Sequence, residues 1–254
     1  MRTATCIFLL IASACLRAAP AAIAGGAGID PAVATADRHT AQEVAAIAAD
    51  VAAEEAWLAA RHARAGVRIL DAPHYALYTP SHKQINDHFC GPATCQVIDD
   101  YWGDYVSQAT YADYLGTTSA GTNFTLLDDC LAHFTRAQTS VHPYAYHTGD
   151  RTLLWTYNHI ETGLYNKGGN GLHYPEAIDV KIDRIVWNNY THDHAGHIIP
   201  LEAFDWRYNT ARLNDVYNER DYYTDGGSTY GHTTYPRGQV GNGIVTSLRP
   251  DLVY

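Results

Sequence analysis

In Gln84-Ile85-Asn86-Asp87-His88-Phe89-Cys90-Gly91-Pro92-Ala93-Thr94-Cys95, a cysteine is followed directly by Gly-Pro and then by the start of an apolar pattern. The pattern continues through Val97, Ile98 and Trp102 at helical spacing, which predicts a helix with one buried face. Pro92 fits the first turn of that helix, because the backbone N–H that proline lacks needs no partner there. The sequence therefore places Cys90 at a helix N-terminus.

A cysteine in this position is a candidate nucleophile. Unpaired backbone N–H groups and the positive end of the helix dipole favour the thiolate, which is the reactive form. Gln84 stands upstream in the same stretch, and its side-chain amide could donate to an oxyanion that forms beside the sulfur. A single cysteine on a helix is otherwise most often a buried, unreactive side chain, so a partner group has to be sought elsewhere in the sequence.

The Gln-x5-Cys-Gly-Pro-Ala form of Gln84 to Ala93 resembles the papain-like cysteine peptidases, and in particular their C39-like branch. The resemblance implies an α+β papain-like fold, with a helical half carrying the nucleophile and an antiparallel sheet half carrying the histidine. It implies thiol-dependent hydrolysis of peptide or amide bonds, a peptide or protein substrate, and neither cofactor nor metal. The double-glycine leaders cut by the bacteriocin exporters of that branch are not carried over, because this sequence lacks the transporter segments.

The histidine expected from this resemblance has a candidate in a late hairpin. Two apolar runs, 197–204 and 211–217, are joined by the polar turn 205–210, which predicts two antiparallel strands. His197 opens the first run after a glycine, which is similar to the position of the catalytic histidine in papain-like proteins. That histidine acts as general acid and base for the cysteine.

The residue that orients the histidine is expected near the end of the second strand. In the family it is an Asn or Asp, often in Asn-Asp-Pro, and Asp215 occupies the matching place. Val216 stands where the pattern has proline, so Asn214 and Asn218 remain alternatives. The resemblance thus assigns Cys90, His197, Asp215 and Gln84 to nucleophile, acid–base group, orienting group and oxyanion donor.

Two other functions remain open at this stage. His192, His194 and His197 fall within six residues and look a little like the His-x-His-x-x-His of metallo-β-lactamase-like hydrolases, which would indicate a zinc-dependent hydrolase. Gly196 stands where those enzymes have an aspartate. The second alternative is a catalytically inactive papain-like binding module, in which Cys90 and His197 would lie too far apart for a hydrogen bond.

The N-terminal region predicts export. Residues 1–24 have one early positive charge, a short apolar run and an Ala-x-Ala-like site, which is typical of a secretory signal peptide for an extracellular or periplasmic protein. Residues 25–66 contain a leader and an Ala-rich helix opened by a Thr40–Glu43 capping box. The sequence leaves open whether this helix packs on the domain or is a propeptide or stalk. Residues 67–254 form the predicted C39-like peptidase domain.

Three cysteines remain after signal removal, namely Cys90, Cys95 and Cys130. An odd number in an oxidising compartment indicates one disulfide and one free thiol. Cys90 and Cys95 stand on the same helix start and point in different directions, so a Cys95–Cys130 disulfide is predicted, with Cys90 left free.

Charge excludes one class of partner. The 17 Lys and Arg against 27 Asp and Glu give a formal net charge of −10, and the sequence contains no basic run, so nucleic acid is not expected as a partner. No membrane segment is expected after signal cleavage, and the oligomeric state stays open. Other predicted elements are helices at 107–116 and 124–134 and strands at 67–70, 75–78 and near 244–248. The segments 152–157, 177–182 and 185–187 also favour strands, although some of them suit a helix equally well.

Overall fold

The computed structural model describes residues 74–135, 144–166 and 173–254. The predicted signal peptide 1–24, the extension 25–66 and the strand at 67–70 lie outside the described residues. Within the described ranges, no helix has both the length and the apolar character needed to cross a bilayer.

In the described part of the chain, three successive helices precede most of the strands. The α-helices are α1 (Cys90–Tyr101), α2 (Gln108–Leu115), α3 (Leu127–Phe134), α4 (Leu153–Asn166) and α5 (Arg237–Val245), and short 3-10 turns lie at Phe124–Leu126 and Glu219–Asp221. The strands are β1 (His74–Ala76), β2 (Tyr146–His147), β3 (Glu176–Ile182), β4 (His194–Asp205), β5 (Thr210–Asp215), β6 (Gly231–Pro236) and β7 (Leu252–Val253).

The strands form one antiparallel sheet in the order β2-β7-β3-β4-β5-β6, and β1 pairs with the far end of β4. Helices cover both faces of the sheet. The cluster on one side joins α1, α2 and α3 to Ala177 and Ile198, while the cluster on the other joins α4 and α5 to Ile178 and Ile199. Successive strand residues point to opposite faces, which is why adjacent residues enter different clusters. The predicted α+β arrangement is confirmed.

The predicted late hairpin corresponds to β4 and β5, which pair from Leu201↔Leu213 to Asp205↔Thr210. Pro200 lies inside β4, opposite Ala177 of β3, although β4 is a central strand. The register with β5 begins only at Leu201 and is irregular between Leu201 and Ala203, so Pro200 lies just beyond that ladder. A bulge next to the proline makes its missing donor tolerable at this point.

Several helix predictions are confirmed. The helix after Cys90 is α1, the helix at 124–134 is a 3-10 turn continued by α3, and the helix at 107–116 is α2. Ser107 caps α2 by accepting the backbone N–H of Thr110 at 3.2 Å. The ambiguous segment 152–157 forms the start of α4.

Two strand predictions are wrong. Residues 185–187 form a turn between β3 and β4, and residues 244–248 belong to the end of α5 and the turn after it, while the terminal strand is β7. The helix α5 contains several glycines, whose low helix propensity favoured a different prediction for this segment. Gly243 is required by packing, because a Cβ there would lie 2.8 Å from Cζ2 of Trp187.

The predicted Cys95–Cys130 disulfide is also wrong in this structure. Both cysteines are free thiols with no exposed surface, in the core between α1 and α3. They contact each other, since burial and a hydrogen bond to Cys130 raise the pKa of the Cys95 thiol.

Candidate active site

Cys90 is the first residue of α1. The residue before it, Phe89, has no side chain that caps the helix, and the first turn contains no acidic residue. The first-turn N–H groups therefore face outward with the positive end of the helix dipole, and Cys90 is partly exposed beside them. Thr94, one turn further on, donates its hydroxyl to the carbonyl oxygen of Ile198 at 3.0 Å and fixes α1 to β4.

His197 and Asp215 are brought together by the hairpin. Nε2 of His197 lies 2.9 Å from Oδ1 of Asp215, and both side chains are almost fully buried. The backbone N–H of Tyr217 donates to the same oxygen at 2.9 Å, and the hydroxyl of Tyr190 donates to Oδ2. Asp215 therefore holds one ring nitrogen of His197 and leaves the other for a different partner.

That partner is Cys90. Burial alone would lower the pKa of His197, but the charge and hydrogen bond of Asp215, together with a hydrogen bond to Cys90 and its charge, raise it to about 10. A histidine with a raised pKa is an imidazolium at neutral pH, and an imidazolium beside a thiol favours the thiolate. Asp215 is thus hydrogen-bonded to the His197 imidazole, and Cys90 acts on the same ring and helps to raise its pKa.

Gln84 lies next to the end of β5. Its backbone N–H donates to the carbonyl oxygen of Val216 at 2.8 Å, and its side chain is only 2% exposed. The side-chain Nε2 donates to the carbonyl oxygen of Asn86 at 2.6 Å, while Oε1 is buried and has no hydrogen-bond partner among the described residues. An amide nitrogen carries two N–H groups, so the second one is the donor that an oxyanion role requires.

Val216, which stands where the family pattern has proline, is a packing residue. Its side chain has no exposed surface and packs with Ala93 and Val97 of α1, in a small cluster that Cys90 also touches. The residue after Asp215 is therefore a packing contact between β5 and the helix that carries the thiol. This contact keeps the register of Asp215 even though proline is absent.

The two alternative orienting residues have other partners. Asn214 has no exposed surface, and its Nδ2 donates to the carbonyl oxygens of Thr79 and Pro80 while its Oδ1 accepts from Ser81. Asn218 donates to the side chain of Asp221. Neither amide is bonded to His197, so Asp215 is the residue that the structure places against the imidazole.

A serine–histidine–carboxylate arrangement connects the segment before Gln84 to the sheet. Its members are Ser81, His232 and Glu202. Oγ of Ser81 is 3.2 Å from Nε2 of His232, whose Nδ1 is 2.7 Å from Oε1 of Glu202. The amide of Asn214 fixes the hydroxyl direction, because its oxygen accepts the Ser81 proton at 2.8 Å. His232 therefore does not act as a base toward Ser81, and the arrangement instead anchors this segment to the sheet.

A cleft of about 350 Å³ opens beside Cys90. The lining residues are Cys90, Ala120, Gly121, Thr122, Asn123, Phe124, Asp179, Ala195, Gly196, Ile198, Leu248 and Arg249. Gly91 allows one wall to approach α1, since a Cβ at this position would lie 2.5 Å from Oγ1 of Thr122. The cleft gives a substrate access to the sulfur from one side.

The three histidines of the zinc alternative do not share one set of partners. Nε2 of His194 and Nδ1 of His192 lie 3.2 and 3.5 Å from Oε1 of Glu219, while His197 is bonded to Asp215. Within residues 74–135, 144–166 and 173–254, no three His, Cys, Asp or Glu side chains converge as a metal site requires. The zinc-dependent alternative is not supported by this geometry.

Glu219 has a structural role in the neighbouring loop. It has no exposed surface and accepts from the backbone N–H groups of Thr191, His192 and Gly227 at 2.8–3.0 Å. Burial would raise the pKa of this carboxyl, but the hydrogen bonds from His194, Thr191 and Gly227 lower it to about 2. Glu219 is thus an ionised anchor for the loop between β3 and β4.

Three solved structures are similar to this chain at the level of chain layout. A double-glycine-motif protease from an AMS/PCAT transporter, in complex with the leader peptide, is 12% identical, with a TM-score of 0.43 over 70% of this chain and 91% of that one. The peptidase domain of Streptococcus ComA, a bifunctional ABC transporter of a quorum-sensing pathway, is 15% identical, with a TM-score of 0.43 over 71% and 96%. A C39-like peptidase from Bacillus anthracis is 12% identical, with a TM-score of 0.43 over 72% and 97%.

No family model and no curated protein matches the sequence. What the site can do chemically therefore follows from its own residues. A partly exposed thiol at a helix N-terminus, which acts on the pKa of a buried imidazole that a carboxylate holds, is an arrangement for nucleophilic catalysis.

Proposed function

We propose that this protein is a C39-like cysteine peptidase that hydrolyses peptide or amide bonds. The observation that carries the proposal is the hydrogen bond between His197 and Asp215, together with Cys90 as a group that acts on the same imidazole. An inactive binding module on the same fold would have the thiol and imidazole out of hydrogen-bond reach, and the influence of Cys90 on the pKa of His197 favours the enzyme over that alternative.

The reaction divides into two steps. The Cys90 thiolate attacks the carbonyl carbon, and the imidazolium of His197 gives its proton to the leaving amine, which leaves a thioester on the sulfur. A water molecule then attacks the thioester while neutral His197 accepts its proton, the carbon–sulfur bond breaks, the acid leaves, and the thiolate–imidazolium pair is restored. Gln84 and the backbone N–H of Cys90 are the proposed donors to the oxyanion of each tetrahedral intermediate.

The decisive experiment measures the reactivity of single cysteines. The native protein is treated with iodoacetamide at pH 7, and the alkylated peptides are identified by mass spectrometry over time. Cys90 is expected to react much faster than a free thiol, while Cys95 and Cys130 stay unmodified because they have no exposed surface.

Two variants make the experiment specific. His197→Ala is expected to slow alkylation of Cys90 at neutral pH, and Cys90→Ala to abolish hydrolysis of a casein-derived peptide library. His88→Ala, a histidine on the exposed loop before Cys90, is the control. Alkylation of Cys90 at the rate of free cysteine, unchanged by His197→Ala, would disprove the proposal.

We also propose that the enzyme works outside the cytoplasm, on extracellular or periplasmic substrates. The support is the signal-peptide pattern of residues 1–24. N-terminal sequencing of the exported protein is expected to begin near residue 25. A cell-associated product that retains Met1 would contradict this part of the proposal.

A further inference from the structure

Tyr190 is a buried residue of the loop between β3 and β4 that the sequence pattern does not single out. Its hydroxyl donates to Oδ2 of Asp215, the oxygen that His197 does not use. Its ring lies edge-on to the His197 ring with 6.5 Å between centroids, and to the Trp187 ring at 6.4 Å. Tyr190 thus contacts both members of the His197–Asp215 pair without lining the cleft at Cys90.

The position of Tyr190 is fixed from both sides. Its backbone N–H donates to the carbonyl oxygen of Trp187 at 2.9 Å, and the next residue, Thr191, donates backbone and hydroxyl hydrogens to Glu219 at 2.8 and 2.9 Å. The hydroxyl therefore has little freedom to leave Asp215. A donor that is held in place costs no reorganisation when charge on its acceptor changes.

We propose that Tyr190 is a positioning residue that sets the orientation and charge distribution of Asp215 and, through it, the basicity of His197. The proposal rests on the proposed cysteine peptidase function and adds a residue that tunes its acid–base group. With one oxygen of Asp215 bonded to Tyr190, less of the carboxylate charge acts on the His197 imidazole. If the Tyr190 hydroxyl is removed, more of that charge acts on His197, and the imidazolium loses its proton less readily.

The titratable groups around this pair are few. Cys90 faces His197 from α1, and His194 and Tyr217 lie 6.5 and 5.7 Å from the His197 ring between centroids. Tyr235 and Glu219 act on the Asp215–Tyr190 side at longer range. Burial and then the charge and hydrogen bond of Asp215 raise the pKa of Tyr190 well above its usual value, so it remains a protonated donor across the working range.

The test is the pH profile of Cys90 alkylation in the full chain, with Tyr190→Phe compared with the unmodified protein. With the anionic reagent iodoacetate, the alkaline limb of the profile reports loss of the imidazolium, because its positive charge attracts the reagent while the thiolate itself persists. In Tyr190→Phe this limb is expected to move to higher pH by roughly 0.5 to 1 pH unit. A shift of this size corresponds to part of the free energy of a hydrogen bond to a charged group. The hydrolysis step needs neutral His197, so kcat at pH 7 is expected to fall by roughly 3- to 10-fold with little change in KM.

Tyr111→Phe is the matched control, because Tyr111 is a buried tyrosine whose hydroxyl donates to the buried Asp99 at 2.6 Å in the helical layer. A profile for Tyr190→Phe that superimposes on that of the unmodified protein, or an equal shift in Tyr111→Phe, would overturn the proposal. Alkylation does not require hydrolysis, so the profile tests Tyr190 even if no peptide is cleaved and the proposed function fails.

A second variant covers the case in which Tyr190→Phe does not fold. Genetic incorporation of 3-fluorotyrosine at position 190 keeps the shape and makes the hydroxyl a stronger donor. The alkaline limb is then expected to move in the opposite direction, to lower pH. An unmoved limb in a folded fluorotyrosine variant would reject the role of Tyr190.

Discussion

At the scale of single residues, Asp215 determines the orientation of the His197 ring. Its carboxylate is buried, and one of its oxygens accepts from His197 and from the backbone of Tyr217. The acceptor is held in place by the backbone of its own strand end, and not by a mobile side chain. The imidazole therefore has one fixed orientation toward Cys90.

Replacement of this carboxylate tests its charge. Asp215→Asn keeps the size and one hydrogen-bond acceptor but removes the negative charge, so the pKa of His197 is expected to fall. The alkaline limb of the Cys90 alkylation profile then moves to lower pH, and kcat/KM drops by roughly 10- to 100-fold. The matched control is Asp251→Asn, since Asp251 is also a buried aspartate that accepts from a tyrosine. Equal profiles for the two variants would contradict the role of Asp215.

Gln84 offers a second test at this scale. Its amide is buried at the end of β5 and has one N–H that is not used by Asn86. Gln84→Ala is expected to lower kcat by about 100-fold with little effect on KM, because the oxyanion exists only during the reaction. Gln96→Ala serves as the control, as Gln96 donates to the carbonyl oxygen of Val106 outside the site. A similar loss in both variants would indicate a purely structural role for Gln84.

At the scale of elements, the start of α1 and the loop at 117–123 depend on each other. Thr122 occupies the space that a side chain at position 91 would need, and its hydroxyl lies 2.9 Å from that of Thr117. The loop lines the cleft beside Cys90. Small residues at the beginning of the helix are therefore a condition for the shape of the cleft as well as for the exposure of the thiol.

Gly91→Ala is expected to displace this loop. The added methyl group would overlap Thr122, so the free energy of unfolding falls by about 1 to 3 kcal/mol and KM rises. The double variant Gly91→Ala/Thr122→Gly removes the overlap and is expected to recover much of the KM change. Chemical denaturation and peptide hydrolysis measure the two effects. Failure of the second substitution to restore KM would show that the methyl group acts in another way.

The elements also show where sequence patterns suffice. The start of α1, the cap of α2 and the β4–β5 hairpin could be predicted because each depends on local spacing, a polar cap or a turn. The helix α5 could not, because Gly243 is there to admit the ring of Trp187, which is distant in sequence. The segment at 152–157 has a composition that suits either state, and packing of α4 on the sheet decides it.

At the scale of the whole molecule, the site lies where the helical layer meets the sheet, and the two layers differ in what they bury. The layer around α1 contains Asp99, which has no exposed surface and accepts from Tyr111 and Thr135. Burial outweighs these hydrogen bonds and raises the pKa of Asp99 to about 7. Asp99 is on α1, and its bonds to Tyr111 and Thr135 make its protonation state a matter of how the helical layer packs.

Asp99 makes stability depend on pH in a defined direction. A carboxyl whose pKa is raised in the folded state favours folding at pH values below its unfolded pKa, and this contribution is lost as the pH rises through about 7. Asp99→Asn is expected to remove this slope, which amounts to as much as about 4 kcal/mol between pH 4 and pH 8. Urea denaturation across that range measures it, with the exposed Asp113→Asn as the control. An unchanged slope would contradict the raised pKa.

The candidate site was predictable to the extent that its residues stand in recognisable local contexts. Cys90 opens α1, Gln84 precedes it at a fixed spacing, and His197 opens the apolar run of β4, although the strand itself begins at His194. The sequence alone could not decide between Asp215 and Asn214. The deciding fact is that the segment at 79–81 accepts the hydrogen bonds of the Asn214 amide, which leaves Asp215 for His197. Tyr190 has no local signal at all, since its link to Asp215 exists only once the loop and β5 have come together.

The bond from Thr94 to Ile198 joins residues that are 104 positions apart, so the nucleophile meets its base only after the long-range strand pairing is complete. A refolding chain that has regained its helices would still have an ordinary, slowly alkylated thiol at position 90. The moment at which that thiol becomes reactive is thus expected to report when the long-range pairing forms, and no added fluorophore or label is needed to observe it.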